Sequence, residues 1–250
     1  MRQHRPYALS IAGLDPSAGA GLLADIKTFE QQQVYGLGVA SAITMQTGTR
    51  FNSVSWLSSA HILDQVKPLL EEYPVTYCKI GIMENLAVLQ EVITQLLNWQ
   101  PGMKIILDPV LKASAGYIFH KQPHWQQWAN LLKSIYLVTP NYNEAVQLTG
   151  LPDGHSAALQ ISQCCHVLLK GGHNPANPGV DKLYADTVTD IRPGNINAFP
   201  KHGSGCVLSA AITAMLAKGE PLATACINGK AYTEKLLASN TGMLGYHSII

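Results

Sequence analysis

The densest run of chemically useful residues is Lys201-His202-Gly203-Ser204-Gly205-Cys206, which leads into an alanine-rich stretch with helical composition, Val207 to Lys218. Glycines beside a helix start let several backbone N–H groups point at one spot, and the aligned peptide dipoles add partial positive charge there. Such a spot suits a bound phosphate, or the charge that develops on a phosphoryl group in transfer. Cys206 falls in the first turn, where a helix amino terminus is expected to hold a thiol below its usual ~8.5 and favour the thiolate. A plainer reading makes Cys206 a small core residue behind two turn glycines. Spacing alone leaves both open.

Other candidates stand where short apolar runs end. Gly13-Leu14-Asp15-Pro16-Ser17-Ala18-Gly19-Ala20-Gly21 follows the first such run, where glycines permit close backbone approach to a ligand and Asp15 offers an acceptor. Leu107-Asp108-Pro109-Val110 ends another and aims a carboxylate at the same edge, although Asp before proline is also an ordinary turn residue. In Thr139-Pro140-Asn141-Tyr142-Asn143-Glu144, Asn141 can cap a helix with Glu144 three residues on, or the pair can stand beside a magnesium ion and its phosphates. Lys170-Gly171-Gly172-His173 adds a cation, and the small, polar stretch Leu111 to Tyr117 is expected to act as a flap.

Two familiar nucleotide signatures fail. Gly19-Ala20-Gly21-Leu22-Leu23-Ala24 fits the loose dinucleotide fingerprint, but the second strand ends in Thr44-Met45-Gln46-Thr47-Gly48, without the acidic residue that holds a ribose. Gly229-Lys230-Ala231-Tyr232 lacks the upstream glycine and the hydroxyl of a phosphate-binding loop. Any ATP must be held another way.

The elements that position these residues alternate. Strands are expected at Ala8 to Ala12, Val39 to Met45, Thr76 to Ile80, Ile105 to Leu107, Ile135 to Val138 and Val167 to Leu169. Between them, Ala60 to Glu72 and Leu86 to Leu97 each carry an apolar stripe of helical period. This alternation implies right-handed βαβ units and a mostly parallel sheet covered on both faces, with ligands at the carboxyl ends of its strands. The 250 residues show no repeat or linker and are expected to form one domain. A net charge of +1 without a basic stripe argues against a nucleic-acid partner, and no apolar run approaches the ~20 residues that span a bilayer. Five cysteines without a repeated spacing describe neither a disulfide framework nor a zinc site, and the cytoplasm is the expected location.

Taken in order, these motifs resemble the ribokinase-like superfamily and, within it, the hydroxymethylpyrimidine phosphate kinases. The resemblance runs from Ile11–Gly21 and Asp25–Phe29 through Val34-Tyr35-Gly36, Lys79–Met83, Leu107–Val110, Thr139–Asn141 and Lys170–His173 to His202–Cys206. It implies a three-layer α/β/α sandwich, commonly a homodimer, that uses ATP and Mg²⁺ to phosphorylate 4-amino-5-hydroxymethyl-2-methylpyrimidine and then its monophosphate. It also implies that Cys206 is the base, with Gly203, Ser204 and Gly205 as the anion hole. Gly13, Asp15, Gln46 and Met83 map to the pyrimidine contacts, Asp108, Asn141 and Glu144 to metal and phosphate positions, and Lys230 to a phosphate-neutralising lysine. Several positions depart from the family pattern. Ala18-Gly19 replaces a glycine pair, Ser204 stands for a threonine, Gln46 for a frequent glutamate, and the carboxyl terminus from Gly242 is short. Gln46 leaves a pyridoxal kinase on the same fold as the runner-up, and a non-catalytic vitamin-phosphate sensor as the alternative of another class.

Overall fold

The structure, a computed structural model, describes residues 4–111, 124–174 and 177–248. The flap expected at Leu111 to Tyr117 therefore lies, past Leu111, outside the described residues. The chain order is β1 (Tyr7–Leu14), α1 (Gly21–Gln31), β2 (Tyr35–Gln46), β3 (Phe51–Trp56), α2 (Ser59–Glu72), β4 (Tyr77–Ile80), α3 (Leu86–Trp99), β5 (Lys104–Leu107), α4 (Trp125–Leu132), β6 (Leu137–Val138), α5 (Tyr142–Thr149), α6 (Gly154–Ile161), β7 (His166–Leu169), β8 (Asp181–Tyr184), β9 (Val188–Ile191), α7 (Ser204–Ala217) and α8 (Leu222–Ala238).

Among the described residues all strands join one nine-stranded sheet in the order β3-β2-β1-β4-β5-β6-β7-β8-β9. From β2 to β7 neighbouring strands run parallel, while β3, β8 and β9 are added antiparallel at the edges. Alternate residues of each strand feed opposite faces. Ile105 and Leu107 pack with the side chains of α2 to α6, whereas Ile106, Leu137 and Leu168 meet α7 and α8 on the other side. Each such side chain contributes roughly 1.5–3 kcal/mol on burial, and a sheet buried on both faces explains why its strands read as unbroken apolar runs. The fold is the α/β sandwich that the alternation implied.

Three strands, β3, β8 and β9, and three helices, α4, α6 and α8, escaped the pattern. In β3 the residues Asn52, Ser53 and Ser55 are exposed, and β8 and β9 carry Asp181, Lys182 and Asp190, so these antiparallel strands lack the apolar run. Their pairing is decided by neighbours rather than by propensity. α4 and α6 are eight-residue helices, too short to show a repeated stripe.

Candidate active site

A cavity of about 850 Å³ opens at the carboxyl ends of the parallel strands. Gly13, Gln46, Asp108, Asn141, Glu144, Lys170, Gly203, Ser204, Gly205, Cys206 and Lys230 all line it, so the topology brings eleven of the thirteen expected residues together.

At its centre is the start of α7. Gly203 is the residue before the helix, at φ 79°, and no side chain caps the first turn. A β-carbon on Gly203 would lie 2.1 Å from the Gly19 carbonyl oxygen, so only glycine lets the chain turn there. The helix begins three residues earlier than its apolar stretch suggested, which places Ser204, Gly205 and Cys206 in the first turn, with N–H groups that have no intrahelical partner. Cys206 keeps some exposure to the cavity. The surrounding protein nevertheless pushes its thiol up to about 11: burial raises it most, and Asp108 and Asp25 raise it further. The Lys79 ammonium and a hydrogen bond from the Gly21 N–H pull the other way. The expected resting thiolate is thus corrected, because desolvation outweighs the helix dipole.

On one side of the anion hole two carboxylates share a cation. Lys170 Nζ sits 2.8 Å from Asp108 Oδ1 and 3.8 Å from Glu144 Oε2. Asn141 and Glu144 form a true capping box for α5: Asn141 Oδ1 accepts from the Glu144 N–H at 2.9 Å, and Glu144 Oε2 from the Asn141 N–H at 2.7 Å. The capping reading of this pair is thus shown, and both residues also line the cavity. Burial pushes the Glu144 carboxyl up to about 7, Lys170 works against that, and Asp108 adds to it. Two carboxylates already drawn together by one ammonium are a donor set that fits Mg²⁺, which takes one or two carboxylates and fills its shell with water and phosphate oxygens. Among the described residues no cluster of three or more His, Cys, Asp or Glu offers an all-protein metal cage.

Lys230, on α8, donates to the Gly179 carbonyl at 2.7 Å and to Asp181 Oδ2 at 3.0 Å, and its Nζ lies 3.6 Å from Glu234. Asp181 Oδ1 also accepts from the Gly171 N–H, so one carboxylate ties α8 to the turn after β7.

At the opposite end, Gly13, Thr44, Gln46, Phe51 and Ile82 surround the space left for a ring. Met83 is not among them: it is 2% exposed and packs in the core. Neighbouring residues of the chain leaving β4 face opposite sides, so Ile82 takes the cavity side and Met83 the core side. Asp15 is likewise corrected. It is 1% exposed and does not line the cavity. Its carboxylate accepts from the Ser17 N–H and hydroxyl and the Ala20 N–H, and pairs with His202 Nε2 at 2.9 Å. Burial works to raise its pKa, but the bonds from His202, Ser17 and Ala20 outweigh it and hold the carboxyl below the ordinary value. Asp15 is satisfied by protein and shapes the loop rather than facing a ligand.

The sequence reading assigned no role to His202, which lines the cavity, nor to an ion pair between Lys79 on β4 and Asp25 on α1 at 2.7 Å, both side chains fully buried. Lys79 was visible only as a cation in a strand, and its partner lies 54 residues away. Among the described residues no helix is long and apolar enough to cross a membrane.

Comparison with known proteins places these features in context. The model of the family described as phosphomethylpyrimidine kinase matches residues 15–249. A hydroxymethylpyrimidine/phosphomethylpyrimidine kinase of Rhizobium meliloti is 34% identical over 242 residues, covering 93% of this chain and 90% of the relative. The crystal structure of a phosphomethylpyrimidine kinase from Clostridium difficile superposes with a TM-score of 0.77 at 30% identity, covering 92% of this chain and 98% of that one. A pyridoxal kinase from Staphylococcus aureus in complex with ADP superposes with a TM-score of 0.81 at 26% identity, covering 95% and 89%.

Proposed function

Because the chain belongs to the phosphomethylpyrimidine kinase family and is a phosphotransferase, we propose that it transfers the γ-phosphoryl group of ATP to the hydroxymethyl oxygen of 4-amino-5-hydroxymethyl-2-methylpyrimidine, and then phosphorylates that monophosphate to the diphosphate. One observation carries this reading. The start of α7 lies in a single cavity between a ring-sized end at Gly13, Gln46 and Ile82 and a charged end at Asp108, Glu144, Lys170 and Lys230.

In the mechanism, Gln46 hydrogen-bonds the ring edge while Gly13 lets the ring approach the backbone. The hydroxymethyl oxygen faces Cys206. Its O–H bond breaks as the new O–P bond forms, the bond from phosphorus to the β-phosphate oxygen breaks, and ADP leaves. Cys206 takes the proton in the fraction of molecules whose thiol is ionised. The N–H groups of Gly203 to Cys206, with Lys170 and Lys230, neutralise charge on the transferred group. Asp108 and Glu144, with Asn141 beside them, would hold Mg²⁺, which supplies charge neutralisation on the phosphates. Phosphoryl transfer has a loose transition state, so positioning and charge outweigh base strength, and a thiol raised to about 11 is compatible with the role.

Two further parts of the reading concern context. A cytoplasmic homodimer is proposed, with exposed Ile43 and Met45 on β2, beside the edge strand β3, supplying an apolar face for the second copy. A second acceptor, pyridoxal, is favoured by the neutral amide of Gln46 and by the similarity to the S. aureus enzyme. The test is ATP consumption by purified protein with Mg²⁺, offered the pyrimidine, its monophosphate or pyridoxal, with products weighed by mass spectrometry. Mono- and diphosphate from the pyrimidine support the reading. Phosphate transfer to pyridoxal alone replaces it with the second acceptor, and no transfer to any of them refutes both.

A further inference from the structure

The residues after α8 have no part in phosphoryl transfer, yet they touch three loops of the site. The Met243 carbonyl accepts from the His202 N–H at 2.9 Å, and Lys201 Nζ donates to the Asn240 carbonyl. These bonds hold the turn that opens α7. In the turn between β2 and β3, a β-carbon built on Gly48 has its three nearest atoms in this segment: Leu244 Cδ2 at 3.1 Å, Leu244 Cγ at 3.5 Å and Met243 Cβ at 3.5 Å. In the loop after β1, a β-carbon on Gly19 would lie 2.7 Å from Leu244 Cδ2 and 2.9 Å from the His202 ring. Leu244 therefore lies over two glycines from two loops, and a side chain at Gly19 would displace it.

Asn240 gives the segment its shape. Its Oδ1 accepts from the Gly242 N–H at 2.7 Å, and its Nδ2 donates to the Leu244 carbonyl at 3.0 Å. The Ser239 hydroxyl oxygen accepts from the Tyr246 N–H at 2.9 Å, and Tyr232 Oη meets His247 Nδ1 at 2.9 Å, so the segment is tied to α8 at both ends. Leu244 is nevertheless 42% exposed. A side chain left so open gains little from burial, whereas its contacts fall on loops of the site.

We propose that residues 239–247 form a positioning strap for the acceptor end of the cavity. Leu244 and the Met243 carbonyl set the spacing of the loop after Gly13, the turn after Gln46 and the start of α7, and Asn240 holds the strap in shape. None of these residues lines the cavity, so the strap acts through the loops it touches. The inference rests on the ring-sized end being the acceptor site.

Steady-state kinetics of Leu244→Ala, with ATP and acceptor varied in turn, test it. The variant is expected to melt like wild type, because trimming a partly exposed side chain outside the core costs little. Acceptor KM should rise roughly tenfold while KM for ATP stays within about twofold, since a small misplacement of a positioning group is felt only where it acts. Leu244→Met keeps the apolar volume and should restore the wild-type acceptor KM. An unchanged acceptor KM, an equal rise in both KM values, or a Met variant as impaired as the Ala one overturns the proposal. Should Leu244→Ala fail to fold, Asn240→Ala takes its place, since it removes two bonds within the strap and leaves Leu244 present. The same selective rise then supports the proposal, and its absence overturns it. Wild-type protein that phosphorylates no acceptor refutes the proposed function instead. The strap is then read by hydrogen exchange at Thr47 to Arg50, which Leu244→Ala should speed roughly tenfold, and unchanged exchange there overturns it.

Discussion

Asp15 and His202 stand 187 residues apart in the chain and meet at 2.9 Å, fastening the loop after β1 to the turn that opens α7. Ring pocket and anion hole are thereby joined as one body, although neither residue was expected to join them.

Breaking that bond is a stability experiment. Asp15→Leu leaves His202 and the Ser17 and Ala20 N–H groups without their acceptor, at a cost of about 1–3 kcal/mol for each group left unsatisfied in the interior. The expected result is a fall of several kcal/mol in urea unfolding, together with a lower kcat. A stable variant with only a raised acceptor KM would restore Asp15 as a ring contact. Because the folded carboxyl lies below the ordinary 3.8, its contribution is present above that pH and is lost as the pH falls through the folded value.

Glu144 titrates in the opposite sense. With its folded value near 7 against an ordinary 4.5, the folded state holds a proton that the unfolded state has released between those pH values. The stabilisation is full below 4.5 and lost as the pH rises through about 7. Mg²⁺ needs the ionised form, so its apparent affinity should improve from pH 6 to pH 8 by up to ~10-fold. Glu144→Gln should abolish that dependence, as read by Mg²⁺ titration of the initial rate; a wild-type profile in the variant would remove Glu144 from the metal site.

For Cys206 the sign follows from a thiol raised to about 11. The ionised fraction grows about tenfold per pH unit below that value, so log kcat should rise with a slope near one between pH 7 and 9. Cys206→Ala should lower kcat by roughly 10²–10⁴ with little change in ATP affinity. Single-turnover phosphorylation as fast as wild type in that variant would sink the base assignment.

The anion-hole glycines should separate fold from function. In Gly203→Ala the new β-carbon meets backbone at 2.1 Å with φ 79°, so the variant should lose at least ~1–3 kcal/mol of stability. A β-carbon on Gly205 meets only Lys170 Nζ at 3.3 Å and Asp108 Oδ2 at 3.7 Å, atoms of the site itself. Gly205→Ala keeps its N–H but sets a methyl against Lys170, so it should melt like wild type and lose roughly 10²-fold in kcat through misplacement of the site. Equal stability of the two variants would contradict this geometry.

Much of this was legible before any coordinates. The apolar runs that became β1, β4, β5, β6 and β7 are largely buried on both faces, and such strands advertise themselves in composition; β2 was marked by its apolar run as well, although Ile43 and Met45 stay exposed. The glycines at 203 and 205, the carboxylate after β5 and the Asn141–Glu144 spacing mark strand ends and helix starts, which a parallel sheet must collect at one edge. The antiparallel strands β3, β8 and β9 stayed hidden because their polar residues pair only by virtue of a neighbour.

What the amino-acid sequence determined by itself was therefore the layered fold, the edge that carries the site and the residue types that could act there, since these follow from local periodicity and turn chemistry. Only the tertiary structure decided which of those side chains face the cavity. It turned Met83 inward and Ile82 outward, consumed the Asp15 carboxylate in four bonds, kept a proton on Cys206 and set Lys79 beside Asp25. Orientation, desolvation and long-range pairing depend on which surfaces meet after folding, and an interior site feels them more strongly than the local dipoles or spacings that a sequence displays.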